Sequence, residues 1–424
     1  MSIFASDPRG LLTKLFGEAV SAADPMRIVA AHLPERPKGR LLIIGAGKAS
    51  ARMAEAVEEH YGPCEGLVVT RYGYERPTQG IEIVQASHPV PDAAGEAATR
   101  RMFDLVSGLG PDDHVIALIS GGGSALLCAP AEGLTLEDKM AVNTALLASG
   151  APIGEMNVVR KHLSRVKGGQ LAAACDPARL LTLLISDVPG DDPSEIASGP
   201  TVGNTTTAQD ALAIIKQRGI DLPARVANVL AGQNHVVPPD DPRLKRAETK
   251  IIAAPSLSLG VAAAIAEKAG LDVRLLGDAI EGEARDLGQT QARLAMTLQS
   301  EMTTNDKPIL LLSGGECTVT RRGDGVGGPN AEFVLSAALA LNGKAGIHVL
   351  ACDTDGVDGA AEVAGAYAGP DTIAKAELAG VSLQVSLNRN DAHSFFAAIE
   401  GQIVTGPTLT NVNDFRAILV FPRS

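Results

Sequence analysis

A lysine set inside a glycine turn, Gly45-Ala46-Gly47-Lys48-Ala49-Ser50, is the first place where residue types and spacing suggest chemistry. Backbone N–H groups at the start of a helix attract phosphate, and Gly45 and Gly47 let a ligand approach closely. A P-loop would need glycine at position 42, where Leu42 stands. A dinucleotide fingerprint would need a third glycine where Ser50 stands, and an acidic residue where the next strand ends in Thr70-Arg71. The turn reads either as a ligand loop or as a tight turn with a surface lysine. Its place at a strand C-terminus favours the ligand. Three consecutive glycines in Ser120-Gly121-Gly122-Gly123-Ser124 are more than a simple turn requires. They predict an anion nest for phosphate or carboxylate, with Ser120 and Ser124 adding hydroxyls. A third stretch, Asn157 to Gly169, gathers Arg160, Lys161, His162, Arg165 and Lys167. It reads as a solvated helix face or as charge that neutralises an anion, and the adjoining Gly168-Gly169 tilts it toward the second.

Carboxylates follow. In Ser186-Asp187-Val188-Pro189-Gly190-Asp191, Asp187 sits just past an apolar run. There a carboxylate is a natural Mg²⁺ ligand, with Asp191 a second candidate; the alternative is plain turn chemistry. Ser313-Gly314-Gly315-Glu316 and Gly325-Val326-Gly327-Gly328-Pro329-Asn330 read equally as a second ligand loop or as a mobile hairpin. Asp353-Thr354-Asp355-Gly356 imitates a calcium loop, but Ala364 occupies the twelfth position. Asp355 remains a candidate to orient a metal or a substrate hydroxyl. Asn390-Asp391-Ala392-His393 reads as a helix cap.

These residues need elements to hold them. RLLIIGAGKAS, GLVVT, HVIALISGGGSALL and LLTLLISDVPGDD are apolar runs ending in turn residues, alternating with Ala-rich helical stretches. That rhythm predicts βαβ units and a parallel sheet. The polar, Pro-rich stretch from Gly232 to Glu248 reads as a linker. It divides the chain into an N-terminal domain, 1–236, and a C-terminal domain, 237–424. The rhythm then restarts at TKIIAAPS and continues through PILLLSGGECTV and IHVLACDTDG. ISGGGS and LSGGE echo one another faintly, too little for a repeat. MSIFASDPRGLLTKLFGEAV reads as a surface helix, not a signal peptide or membrane span.

The chain has 424 residues, 45 glycines, no Trp and a formal net charge of −12. An acidic surface repels nucleic acid and anionic lipid, so an anionic substrate must enter a local basic pocket. Five scattered cysteines without a CxxC pair read as reduced, buried thiols of a cytoplasmic protein, and the eight His lack zinc-ligand spacing. A homo-oligomer is compatible with all of this.

Together, GAGKAS, SGGGSALL, NVVRKHLSRVKGG, LISDVPGDDPSEIASGPT, LSGGECTV, GGPNAEF and DTDGVDG resemble the glycerate 2-kinase family, often labelled hydroxypyruvate reductase. The resemblance implies an α/β protein with a Rossmann-like N-terminal parallel-sheet domain, a second C-terminal α/β domain and an active-site cleft between them. It implies transfer of phosphate from ATP to the 2-hydroxyl of D-glycerate. The family lysine falls on Lys48. An arginine found in many members falls on Pro329, and Arg160, Arg321 or Arg322 are the candidates to supply that charge. The expected catalytic residues are Lys48, Asp187 and Arg160. Gly45, Gly47, Ser120, Gly121, Gly122, Gly123, Ser124, Gly314, Gly315, Glu316 and Asn330 are expected to bind ATP. Mg²⁺ is expected at Asp187, Asp191 and Asp355. Asp187 or Asp355 is the candidate to take the hydroxyl proton. The competing readings are NAD(P)H-dependent reduction of hydroxypyruvate, with Arg71 toward a 2′-phosphate, and a non-catalytic module that binds sugar acids.

Overall fold

The computed structural model describes residues 7–232 and 236–423. The chain forms two compact units, one of residues 25–187 and 191–252, the other of residues 7–24, 188–190 and 253–423.

In the first unit, six strands form one sheet: β1 (Leu41–Ala46), β2 (Glu65–Arg71), β3 (Ile81–Ala86), β4 (His114–Ser120), β5 (Arg179–Ile185) and β6 (Ala247–Ala253). Their order is β3-β2-β1-β4-β5-β6, and the pairings from β3 through β5 are all parallel. β1 is buried along its whole length and β4 along all but its first residue, as strands covered on both faces must be. The order reverses between β1 and β4, which lie in register from Leu41 opposite His114 to Ala46 opposite Ile119. The two glycine turns therefore leave the sheet side by side at its switch point, where such sheets bind ligands. Helices Leu136–Ala148, Ile153–His162, Ala208–Gln217 and Ala224–Gly232 form a separate core around Val142, Leu146, Val159, Ala211, Val226 and Leu230. This core carries the basic stretch.

The expected boundary at 236/237 falls instead at 252/253. TKIIAAPS is not the opening of the second unit, because β6 closes the edge of the first sheet beside β5. Nor is the Pro-rich stretch a linker. Val237 N donates to Gly168 O (2.8 Å) and Asn204 N to Val237 O (2.8 Å), so it packs on the glycine pair. Residues 233–235 of that stretch lie outside the described residues, as do residues 1–6 of the expected N-terminal helix.

The second unit holds β7 (Asp272–Gly277), β8 (Gly282–Glu283), β9 (Ile309–Gly315), β10 (Cys317–Thr318), β11 (Ile347–Asp353), β12 (Gly365–Ala368), β13 (Gln402–Ile403) and β14 (Asp414–Val420). Its main sheet runs β13-β12-β11-β14-β9-β7, and β8 pairs with β10. This sheet is mixed. β14 inserts antiparallel between β9 and β11, and only β7 with β9 is parallel. The echo between the turns after β4 and β9 is thus a resemblance of turns in different topologies. Helix Pro8–Ala22 is more than a surface helix. It buries Leu11, Leu12, Leu15, Phe16 and Ala19 with helix Pro255–Lys268 against one face of this sheet. Helices Ala284–Glu301 and Pro329–Leu341 cover the other face. Pro329 occupies the first helical turn, where its missing N–H costs nothing. All five cysteines are free and buried, as expected. Among the described residues no helix is long and apolar enough to cross a membrane.

Candidate active site

The first glycine turn spends its amides inside the protein. Gly47 N donates to Val69 O (3.1 Å), Lys48 N to Gly121 O (2.8 Å) and Ser50 N to Gly47 O (3.3 Å). Ala49 N donates to Ser120 Oγ (3.0 Å), which also meets Ser50 Oγ at 3.3 Å. Gly47 has φ +147°, and a Cβ there would fall on the Ser120 hydroxyl. Gly45 and Gly47 are accordingly glycines of close packing, and the buried Ser120 ties the two turns together instead of facing a ligand. The Lys48 side chain of this turn is half-buried.

The second turn is bonded differently. Ala125 N donates to Gly122 O (3.1 Å) and Leu127 N to Gly123 O (2.9 Å). Among the described residues no acceptor takes the amides of Gly122, Gly123 or Ser124. Gly122 has φ +82°, and a Cβ there would stand 3.1 Å from His88 Cδ2 and 3.3 Å from Lys48 Cγ. A Cβ on Gly121 would overlap the Asp187 carboxylate. Lys48, His88, Gly121–Ser124 and Asp187 therefore converge at the C-terminal edge of β1, β4 and β5. Open amides, an ammonium, an imidazole and a carboxylate suit a polyanion held with a cation. The sequence reading missed His88, for nothing in the spacing of HPVPD marks it.

The basic stretch is not a solvated face. Lys161, His162 and Lys167 are buried. Lys161 Nζ donates to Glu195 Oε1 (2.7 Å), and Asn157 Nδ2 donates to Glu195 Oε2 (2.7 Å). Ser198 Oγ donates to Asn157 Oδ1 (3.3 Å) and lies 2.8 Å from Ser124 Oγ. Arg160 donates through Nε to Asn143 Oδ1 (2.8 Å) and through Nη1 to Asn157 Oδ1 (3.4 Å). Burial holds its guanidinium below the ordinary arginine range. Arg160 thus connects to the second turn through Asn157 and Ser198. Ala197 and Ser198 adopt left-handed backbone, φ +53° and +61°, and Gly168 N holds the loop by donating to Ser198 O (3.1 Å). Non-glycine residues keep such conformations where surroundings enforce them, often at functional sites. No pattern in the sequence signals Ser198.

The remaining expected residues belong to the second unit. Gly315, φ +115°, lets the backbone of Ile280 approach, and Gly314 O accepts from Ile280 N (3.1 Å). The glycines from Gly323 to Gly328 pack on the backbone of residues 389–391 and on Asp358. Glu316 is exposed. Asn330 is buried and donates through Nδ2 to Asp414 Oδ1 (2.6 Å), while its own Oδ1 has no partner among the described residues. Asp358 receives Asn330 N (2.9 Å) and Ala331 N (2.8 Å), capping the helix. His393 Nε2 lies 3.0 Å from Asp358 Oδ2. Asp355 is buried and accepts from Val357 N (2.9 Å), a local turn contact. Asp391 occupies the N-cap position, but its Oδ1 accepts from Ser394 Oγ (2.6 Å) and Val326 N (2.9 Å) and from no backbone N–H of its own helix, so the expected side-chain cap is not formed.

Mg²⁺ needs only one or two carboxylates when phosphates and water complete its shell. Among the described residues no three His, Cys, Asp or Glu side chains form a metal-holding group. Asp187 beside the second turn fits the smaller demand. Asp191, φ +54°, has a buried Oδ1 without a partner. A cavity of about 670 Å³ in the same unit, lined by Arg100, Pro130, Arg165, Gln170 and Arg243, touches none of these groups.

Residues 11–231 match a family model described as a domain of unknown function, DUF4147, and residues 309–414 match the MOFRL family. The D-glycerate 2-kinase of Thermotoga maritima is 36% identical over 95% of this chain and 96% of its own. The glycerate 2-kinase of Pyrococcus horikoshii is 34% identical over 99% and 98%. A protein of Agrobacterium vitis, 52% identical over 97% and 94%, carries the provisional name hydroxypyruvate reductase. The crystal structure of a Thermotoga maritima glycerate kinase superposes with a TM-score of 0.88 at 35% identity, covering 98% of this chain and 100% of that one. A glycine-turn lysine at the switch point of a doubly wound sheet, two matched family segments and these full-length relatives lead to one assignment: the chain belongs to the glycerate 2-kinase family.

Proposed function

We propose that this protein transfers the γ-phosphoryl group of ATP to the 2-hydroxyl of D-glycerate. The observation that carries the reading is the convergence of Lys48, the amides of Gly122–Ser124 and Asp187 at one sheet edge. Phosphoryl transfer is mostly positioning and neutralisation of charge, and these groups suit both tasks. Lys48 stabilises the charge on the transferring group, and the Gly122–Ser124 amides bind phosphate or carboxylate oxygens. Mg²⁺, when bound, neutralises the ATP oxygens, and Asp187, with Asp191 as a second carboxylate, is the residue to hold it. Arg160 acts at one remove, by orienting Asn157. Five free, buried thiols fit a reducing cytoplasm.

Reduction of hydroxypyruvate is not supported. The end of β2, where an acidic residue would grip a nicotinamide-nucleotide ribose, carries Thr70, whose hydroxyl is buried and donates to Gly47 O (3.1 Å). An assay of ADP release from D-glycerate and Mg-ATP, beside NADH absorbance with hydroxypyruvate, separates the two. ADP release alone is expected; NADH oxidation without ADP release would reverse the reading.

A further inference from the structure

Lys167 is buried against the second glycine turn. It is 1% exposed, and its Nζ donates to Ser124 O (2.6 Å), Ser124 Oγ (3.3 Å) and Leu127 O (3.4 Å). Three oxygen acceptors match the three hydrogens of an ammonium. The backbone beside it is pinned, since Gly168 N donates to Ser198 O (3.1 Å) and Gly169 N to Gly199 O (2.8 Å). Lys161 has Glu195 as its partner, whereas Lys167 forms no ion pair among the described residues. Its neighbours add positive charge. Lys139, Arg160 and Lys161 all act on it. Lys139 Nζ is buried without a hydrogen-bond partner among the described residues, and Arg160 is held by the amide oxygens of Asn143 and Asn157. Burial pushes the Cys128 thiol up, so it adds no anion. Among the described residues, Lys161 alone of these cations meets a carboxylate at ion-pair distance. A buried charge needs a partner of opposite sign, and like charges nearby make that need greater.

The turn that Lys167 grips by its carbonyls is the one whose Gly122, Gly123 and Ser124 amides find no acceptor among the described residues. The Ser124 hydroxyl is spoken for. Ser198 Oγ donates its proton to Asn157 Oδ1 (3.3 Å), so across the 2.8 Å contact Ser124 Oγ donates to Ser198 Oγ. Ser124 thus has no proton left for a ligand, and an anion at this turn meets backbone amides backed by a buried cation. Resting on the kinase reading above, we propose that Lys167 is the fixed positive charge behind this turn, and that an anionic group bound at the Gly122–Ser124 amides is its counter-charge. The anion is a phosphate of ATP or the carboxylate of glycerate, which share this chemistry. Lys167 is a positioning residue: it holds the turn through two carbonyls and attracts the anion from behind, without touching it. Such a charge is preorganised, so it costs no rearrangement when the ligand arrives.

The test uses the full chain with Lys167→Gln, which keeps hydrogen-bond donors and loses the charge, and Lys167→Arg, which keeps both. Lys167→Gln is expected to raise KM for one of the two substrates, Mg-ATP or D-glycerate, at least about tenfold, and to change the other less than about threefold. Lys167→Arg is expected to stay within about threefold of wild type for both. The KM that rises identifies the anion held at the turn. Unchanged KM values in Lys167→Gln overturn the proposal. So does a fall in kcat with both KM values rising together, the mark of a turn that is merely distorted. If the variants fail to fold, a wild-type crystal soaked with Mg-ADP and D-glycerate decides the matter. An anionic oxygen at the Gly122–Ser124 amides, within about 8 Å of Lys167 Nζ, a screening length at physiological salt, is expected. Ligands bound with no anionic group at this turn overturn the proposal while leaving glycerate phosphorylation intact. No ADP release from wild type with glycerate removes the kinase reading and this proposal together.

Discussion

Lys48 is the side chain on which the proposed chemistry most depends, because the amides of its own turn are consumed by Val69 O, Gly121 O and Ser120 Oγ. The ammonium is the group of this turn that the proposal assigns to the phosphate. Lys48→Ala is therefore expected to lower kcat at least about a hundredfold, the cost of one preorganised charge contact, with far-ultraviolet circular dichroism unchanged. Gly121→Ala tests the carboxylate. Its methyl would displace Asp187, so activity should fall sharply and the Mg²⁺ needed for half-maximal rate should rise. At this scale the sequence was legible where chemistry and backbone coincide. A lysine in a glycine turn and an aspartate after an apolar run both came to the same sheet edge. The burial of Ser120 and Asn330 was not legible for one reason: a hydroxyl or amide beside glycines looks exposed, and here each is buried and bonded to neighbouring backbone or side chains.

The elements that carry these residues were readable from period and punctuation. Each apolar run ending in glycine became a strand, and β1 and β4 came out as neighbours with their turns together. Two things were not readable. The basic stretch has the composition of a solvated face, yet Lys161 is buried against Glu195 and Lys167 against the turn after β4. Nor does local sequence show that a Pro-rich segment packs, since the contacts of Val237 are with residues far away in the chain. The Lys161–Glu195 pair gives this helical layer a measurable weak point. Glu195→Gln leaves a buried ammonium without its counter-charge and should cost roughly 3 kcal/mol in urea unfolding. Retention of wild-type stability would mean that Lys161 finds another partner.

Across the whole molecule, each unit has its own sheet and core. The N-terminal helix was legible as a helix, but its partner was not, because its apolar face packs on strands about 300 to 400 residues later. Phe16→Ala should destabilise the second unit by about 3–5 kcal/mol. Hydrogen exchange should then quicken in helix Pro255–Lys268 and β14 while β1 and β4 keep their protection. Stability should also depend on pH through His348, whose pKa burial lowers from 6.5 to about 4. The unfolded chain binds this proton first, so stability is complete above the unfolded value and falls as pH drops from 6.5 toward about 4. The loss is roughly 2–3 kcal/mol. His348→Gln should flatten that part of the curve.

The most direct measurement is ³¹P NMR of the products formed from D-glycerate and Mg-ATP. The expected spectrum shows ADP and an equal amount of a phosphomonoester on carbon 2 of glycerate, both absent with Lys48→Ala. A spectrum in which ATP is hydrolysed to inorganic phosphate, or in which glycerate is unphosphorylated while the protein oxidises NADH with hydroxypyruvate, would contradict phosphoryl transfer at this site.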